Sequence, residues 1–81
     1  MLELLNEYER LEKIMDEIDK AWDEDPMNEE IEKQWDEAYE AEWNAMFKLL
    51  TELEKIGIDK STGRLMLELK REKLRKLFAM A

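Results

Sequence analysis

The stretch DPMNEEIEKQWDEAYEAEWNAMFKLLTELEKIG, residues 25–57, decides the fold. Asp25 can accept hydrogen bonds from the free N–H groups of a first helical turn. Pro26 suits the first helical position, where no N–H is needed, and Glu29 and Glu30 sit where the helix dipole favours negative charge. At the far end Lys55 lies in the last turn. Gly57 can take the left-handed conformation that ends a helix, with Ile58 as the apolar residue that follows. Neither Gly nor Pro interrupts residues 27–56. At about 100° per residue, Met27, Ile31, Trp35, Ala38, Tyr39, Ala45, Met46, Leu49, Leu50, Leu53 and Ile56 fall on one broad arc, with Trp43 and Phe47 on its shoulder. The pattern predicts one helix over 26–56, roughly 45 Å long at 1.5 Å per residue. Glu42 falls in the middle of the arc. It is expected to be a buried carboxylate that needs a partner, Tyr8 and Lys73 or Lys76 being at the right height.

The flanking segments read as helices folded back onto this one. Upstream, Leu4, Tyr8, Leu11, Met15, Ile18 and Trp22 repeat at spacings of four and three, a heptad seam that predicts a helix over 2–22. Asp23-Glu24-Asp25 is a short connection, so the first two helices should be antiparallel neighbours. Downstream, residues 58–63 have turn composition, with Ser61 or Thr62 as the cap of a third helix over 62–79. That helix would set Met66, Leu67, Leu74, Leu77, Phe78 and Ala81 on one side, interrupted by Lys70. The alternation of Leu65, Leu67 and Leu69 offers a competing strand over 64–70, outweighed by the helix-forming Glu, Lys, Arg and Leu around it. The expectation is an all-α fold in a single domain, residues 1–81: a three-helix antiparallel arrangement with a long central helix. All three helices would overlap only near Tyr39–Phe47. Trp22 and Ile31 at one end, and Leu53 and Ile56 at the other, would then be left exposed, so a homodimer is expected to complete the packing.

Composition limits the chemistry. Of 81 residues, 43% are charged and 44% hydrophobic, enough apolar surface for a core. The net charge of −9 is unevenly placed, with 19 acidic and 5 basic side chains in residues 1–54 against 3 and 8 in residues 55–81. The chain has neither cysteine nor histidine. Disulfides, thiol nucleophiles and the Glu/His ligand sets of helical di-metal proteins are therefore excluded. Outside the two tyrosines the hydroxyls are Thr51, Ser61 and Thr62, and none has a base arranged beside it. Asp59-Lys60-Ser61-Thr62-Gly63 has a faint calcium-loop look. Its glycine stands one place early, however, and Lys70 falls where a bidentate Glu is required. Neither catalysis nor a bound metal or cofactor is expected. No signal-peptide pattern and no long apolar run occurs, so the expectation is a cytoplasmic protein without a membrane segment.

What the sequence offers is surface. Asp36, Glu37 and Glu40 point outward from the central helix, and Trp43 and Phe47 could form an aromatic anchor inside that acidic rim. The plainer reading is that the two rings pack under the third helix. Like-charged pairs one turn apart, such as Glu32–Asp36 and Asp36–Glu40, cost helix stability, as a surface kept for binding would. The basic run Lys70, Arg71, Lys73, Arg75, Lys76 could hold a phosphate backbone, but neutralising the acidic helices is the simpler role. In composition alone, the chain resembles small acidic helical inhibitors of phages and mobile elements, some of which imitate the charge of DNA. The expectation is a non-enzymatic protein–protein interaction module that self-associates and binds a protein partner with a basic surface. A nucleic-acid mimic is the alternative, and weak nucleic-acid binding through the basic third helix a second one.

Overall fold

The computed structural model describes residues 2–80 and contains four helices: α1 (Leu2–Glu24), α2 (Glu29–Lys55), α3 (Lys60–Leu69) and α4 (Arg71–Met80). Among the described residues there is no strand, so the competing reading of 64–70 falls away. Ala81, expected at the end of the last apolar face, lies outside them.

The central helix starts later than the Asp25-Pro26 signal suggests. Asn28 is its N-cap, accepting from the backbone N–H of Glu30 at 2.9 Å and of Ile31 at 3.4 Å. Asp25 instead accepts from the Asn28 side-chain amide at 3.1 Å and so holds the cap in place. The reason lies in the reversal. Helix α1 runs on to Glu24, and two antiparallel axes 8–10 Å apart need a few residues to bridge them. Residues 25–28 supply the bridge, and Met27 is left exposed outside the helix. The far end follows the sequence signal. Gly57 has φ +89°, its N–H donates to the Glu54 carbonyl, and the Ile58 N–H reaches back to that of Leu53, a Schellman closure.

The expected third helix is two. Its first half begins at Lys60, capped by Asp59, which accepts from the Thr62 N–H at 2.7 Å; Ser61 and Thr62 lie inside the helix. Burying that contact is unnecessary, because the charge of Asp59 already suits an N-terminus. Gly63 is not a turn residue. It is buried within α3 where that helix meets α2, and an added Cβ would stand 3.0 Å from both Leu50 Cδ2 and Leu53 Cδ1. The chain then breaks at Lys70, with φ −135° and ψ 48°, although neither Gly nor Pro is there. The break changes partners and direction. Helix α3 climbs along α2, with Lys60 near Glu54 and Arg64 over the Trp43 ring. Helix α4 returns along α1, placing Arg71 on Glu12 and Arg75 on Glu9 and Asn6. One straight helix could follow only one of these neighbours. Lys70 itself is exposed and interrupts no apolar face.

The core therefore sits off-centre, toward one end. Leu5, Tyr8 and Leu11 of α1, Ala45, Met46, Leu49, Leu50 and Leu53 of α2, and Leu67, Leu74 and Phe78 form one buried cluster. Leu5 is fully buried although it lies beside the heptad seam, because α1 here touches α4 as well as α2 and needs a wider apolar stripe. Leu53, expected to be exposed, is in the core, covered by α3; Ile56 is exposed. Beyond this body, from about residue 13 of α1 and residue 42 of α2, the two long helices continue alone as an arm. The molecule is accordingly elongated, 44 × 19 × 18 Å. Trp22 and Ile31 in the arm are half-buried.

Candidate functional site

Charge is sorted between arm and body. Residues 13–42 hold thirteen acidic and three basic side chains, net −10, so the rest of the chain carries +1. The body is neutralised from within. Arg71 meets Glu12 in a two-pronged pair, Arg75 meets Glu9, and Lys60 and Arg64 pair with Glu54 and Glu68. Glu9 and Glu12 are thus half-buried ion-pair partners. Among the described residues no ion pair involves residues 13–51.

Along one side of α2 runs a ladder of rings at a spacing of four: Trp35, Tyr39, Trp43 and Phe47. Trp35 and Tyr39 are stacked at 5.0 Å, Tyr39 and Trp43 meet edge-on at 6.3 Å, and Trp43 and Phe47 lie 5.9 Å apart. Four residues fall about 40° past a full turn, so the ladder swings steadily away from α1. Trp35 consequently faces the α1 side, where its indole N–H donates to Asp19 at 3.1 Å, while Phe47 is 49% exposed. The two lower rungs carry cations from α3. The Lys60 ammonium stands 5.5 Å from the Phe47 ring and the Arg64 guanidinium 5.8 Å from the Trp43 ring. Tyr39 is 44% exposed.

Between the ladder and the acidic side of α1 lie three connected hollows. One, of about 380 Å³, is lined by Asp19, Trp22, Glu32, Trp35 and Asp36. A notch of about 240 Å³ follows, lined by Glu12, Met15, Asp16, Asp19 and Glu42. The third, about 250 Å³, opens between Tyr39 and Trp43, with Glu42 and Tyr8 inside and Arg64 and Glu68 at its rim. Shared Asp19 and shared Glu42 make these one groove, acidic on the α1 wall and aromatic on the α2 wall.

Glu42 is half-buried at the centre of this groove. Burial pushes its carboxyl above the usual carboxylate range, with Glu12, Asp16 and Asp19 adding repulsion, against a hydrogen bond from Tyr8 that pulls it down. That bond is long, 3.5 Å from the phenol oxygen to Oε1. Burial, then Glu12 and Glu42, drive the Tyr8 phenol up to about 12, so it remains a donor. The expected lysine partners are absent from this contact. Lys73 and Lys76 are exposed on α4, and it is Arg71, not a lysine, that lies over the Tyr8 ring at 5.5 Å. The chain turns at Lys70 before either lysine could reach α2.

The other sequence candidates divide. Asp36 and Glu40 are exposed and lie within about 60° of Trp43 and Phe47 around the helix, so they share a side with the ladder. Glu37 is on the opposite flank, in a shallow groove with Leu11, Ile14, Ile18 and Ala38. Trp43 is half-buried against the core beneath Arg64, whereas Phe47 stays open. Trp22 is expected from the sequence to be exposed and is half-buried, whereas Asp19, Trp35 and Tyr39 are not surface candidates there, the last two belonging to the apolar arc. The spacing of four from Trp35 through Phe47 was the signal that could have marked them. Among the described residues no group of three or more acidic side chains is placed to hold a metal ion, and no helix is long and apolar enough to cross a membrane. Fold and groove define the class: a small all-helical protein with a neutral body and an acidic, ring-lined two-helix arm. Comparison with protein-family models, curated proteins and solved structures finds no match to this chain.

Proposed function

We propose that the protein is a non-enzymatic interaction module whose arm docks a basic surface of another protein. The observation that carries this reading is the sorting of charge. A net −10 on residues 13–42, unrelieved by internal ion pairs, sits beside exposed rings on a scaffold whose body is neutral. Such a field draws a basic surface toward it and speeds association, and rings next to carboxylates hold cationic side chains once they arrive. Solubility alone needs less charge than this. Reversing Asp36 and Glu40 to Lys tests the reading. Association with a basic protein probe should slow tenfold or more while helix content is unchanged, and raising salt should slow the parent protein toward the variant. An on-rate indifferent to both changes removes the proposal. The same field is what a nucleic-acid mimic would use. Direct nucleic-acid binding through α4 has less support, because Arg71 and Arg75 are engaged with Glu12, Glu9 and Asn6.

A second reading concerns self-association. The flank opposite the ladder carries half-buried Ile14 and Ile18 beside buried Ala38 along a largely apolar groove. Two arms would repel each other, so a two-fold pair must set each arm against the partner's body, where Lys70, Lys73 and Lys76 are exposed. Sedimentation equilibrium should then show twice the 9.8 kDa chain mass, and Ile18→Glu should return it to the monomer. A monomer at every concentration up to about 100 micromolar would exclude this pairing at physiological strength.

A further inference from the structure

Helix α3 shows how a helix lies along the ring ladder. Helix α3 lies along α2 with Lys60 over Phe47 and, one turn later, Arg64 over Trp43. Its residues thus step along the ladder at one cation per rung, since a spacing of four on both helices advances each by about 6 Å. Continued in the same register, positions 68 and 72 would reach Tyr39 and Trp35. Position 68 is Glu, at the rim of the hollow beside Tyr39, and the helix stops at Leu69 before the chain turns away to α1. The upper rungs are left without a covering helix. Leu69, the last residue of α3, is 76% exposed, so the line beyond it is open.

The ground beyond that point is complementary to a cationic helix. The hollow at Trp22 and Trp35 has two indole walls with Asp19, Glu32 and Asp36 around it, room enough for a guanidinium. The neighbouring notch of Glu12, Met15, Asp16, Asp19 and Glu42 is centred about one helical turn away, because the two share Asp19 and the helices run antiparallel. Arg71 neutralises only Glu12 among these groups.

Resting on the docking function above, we propose that the arm receives a basic amphipathic helix of a partner protein, laid between α1 and α2 in line with α3. Two of its arginines, one turn apart, enter the Trp22–Trp35 hollow and the Glu12–Asp16–Asp19–Glu42 notch. Its apolar face rests on Met15, Trp35 and Tyr39. The partner helix thereby supplies for the arm what α3 supplies for the body, a third helix and cations on the rungs.

The probe is a pair of synthetic alanine-rich peptides of identical composition, both helical, one with arginines at positions i and i+4 and one at i and i+2. Binding is read from the fluorescence of the three tryptophans and by calorimetry, on the full chain. The i,i+4 peptide should bind at least tenfold more tightly. Asp36→Lys, an exposed change at the rim of the Trp hollow, should remove most of that preference, and so should Trp35→Leu if its circular dichroism is unaltered. Equal binding of both peptides, weakened alike by salt, would overturn the helix register and leave docking by charge intact. An i,i+4 preference that survives Asp36→Lys would overturn the placement in the groove. Binding of neither peptide, together with no binding of a basic protein, would overturn both proposals.

Discussion

Gly63 is where the fold is most sensitive to a single atom. It stands in the middle of α3, and glycine in a helix interior costs about 1 kcal/mol relative to alanine, so Gly63→Ala should stabilise the chain if nothing obstructs the new methyl group. The structure places that methyl 3.0 Å from Leu50 Cδ2 and 3.0 Å from Leu53 Cδ1. Carbon atoms pack comfortably at about 3.5–4.0 Å, so each leucine terminus, or α3 itself, must retreat by roughly half an ångström or more. Leu50 is 5% and Leu53 1% exposed, inside one closely packed cluster, with little freedom to move. Overpacking of this kind costs about 1–3 kcal/mol. Set against the helix gain, the net should be a loss of about 1 kcal/mol, which in a chain of this size lowers Tm by roughly 4–8 °C. Gly63→Val adds two further methyls and should cost several times as much. Far-ultraviolet circular dichroism during heating and urea unfolding measures both. Because α3 carries Lys60 and Arg64, a displaced α3 should also shift the emission of Trp43. A Gly63→Ala protein more stable than the parent would refute the argument, since it would mean that the leucines yield and that α3 does not lie this close to α2.

Two further substitutions test the groove and the clamp beneath it. The folded state binds the Glu42 proton more tightly than the unfolded chain does, so ionised Glu42 costs stability above its raised pKa, and the cost fades as pH falls toward and below the ordinary 4.5. Glu42→Gln should therefore raise the urea midpoint at neutral pH and lose that advantage in acid; no gain at neutral pH counts against the crowding of carboxylates described here. Arg71→Ala removes the two-pronged pair to Glu12 and the cation over Tyr8. At this half-exposed site a loss of roughly 1 kcal/mol is expected, falling as salt rises, and an unchanged midpoint would mean that α4 is held by Leu74 and Phe78 alone.

Sequence and structure divide according to the range of the interaction. The helical content, the antiparallel first pair and the stop at Gly57 were legible because they rest on residues within a turn or two of one another: a heptad seam, a dipole, a glycine free to take positive φ. Where two local signals competed, the outcome was not local. Asp25 and Asn28 are both good caps, and the width of the reversal chose Asn28. Asp59, Ser61 and Thr62 can all cap, and the helix capped by Asp59 is the one that buries Gly63 against Leu50 and Leu53. The break at Lys70 has no signal in its own residues, because its cause is that Leu67 packs with α2 while Arg71 and Arg75 reach α1. The imbalance of charge between the two parts of the chain was plain from the sequence. That it becomes a neutral body and a bare acidic arm was decided only when the basic C-terminal segment folded over one end of the long helices. The same step placed cations on the lower half of a ring ladder and left the upper half open, since two helices of ten residues, of which one follows α1, cannot cover the whole length of α2.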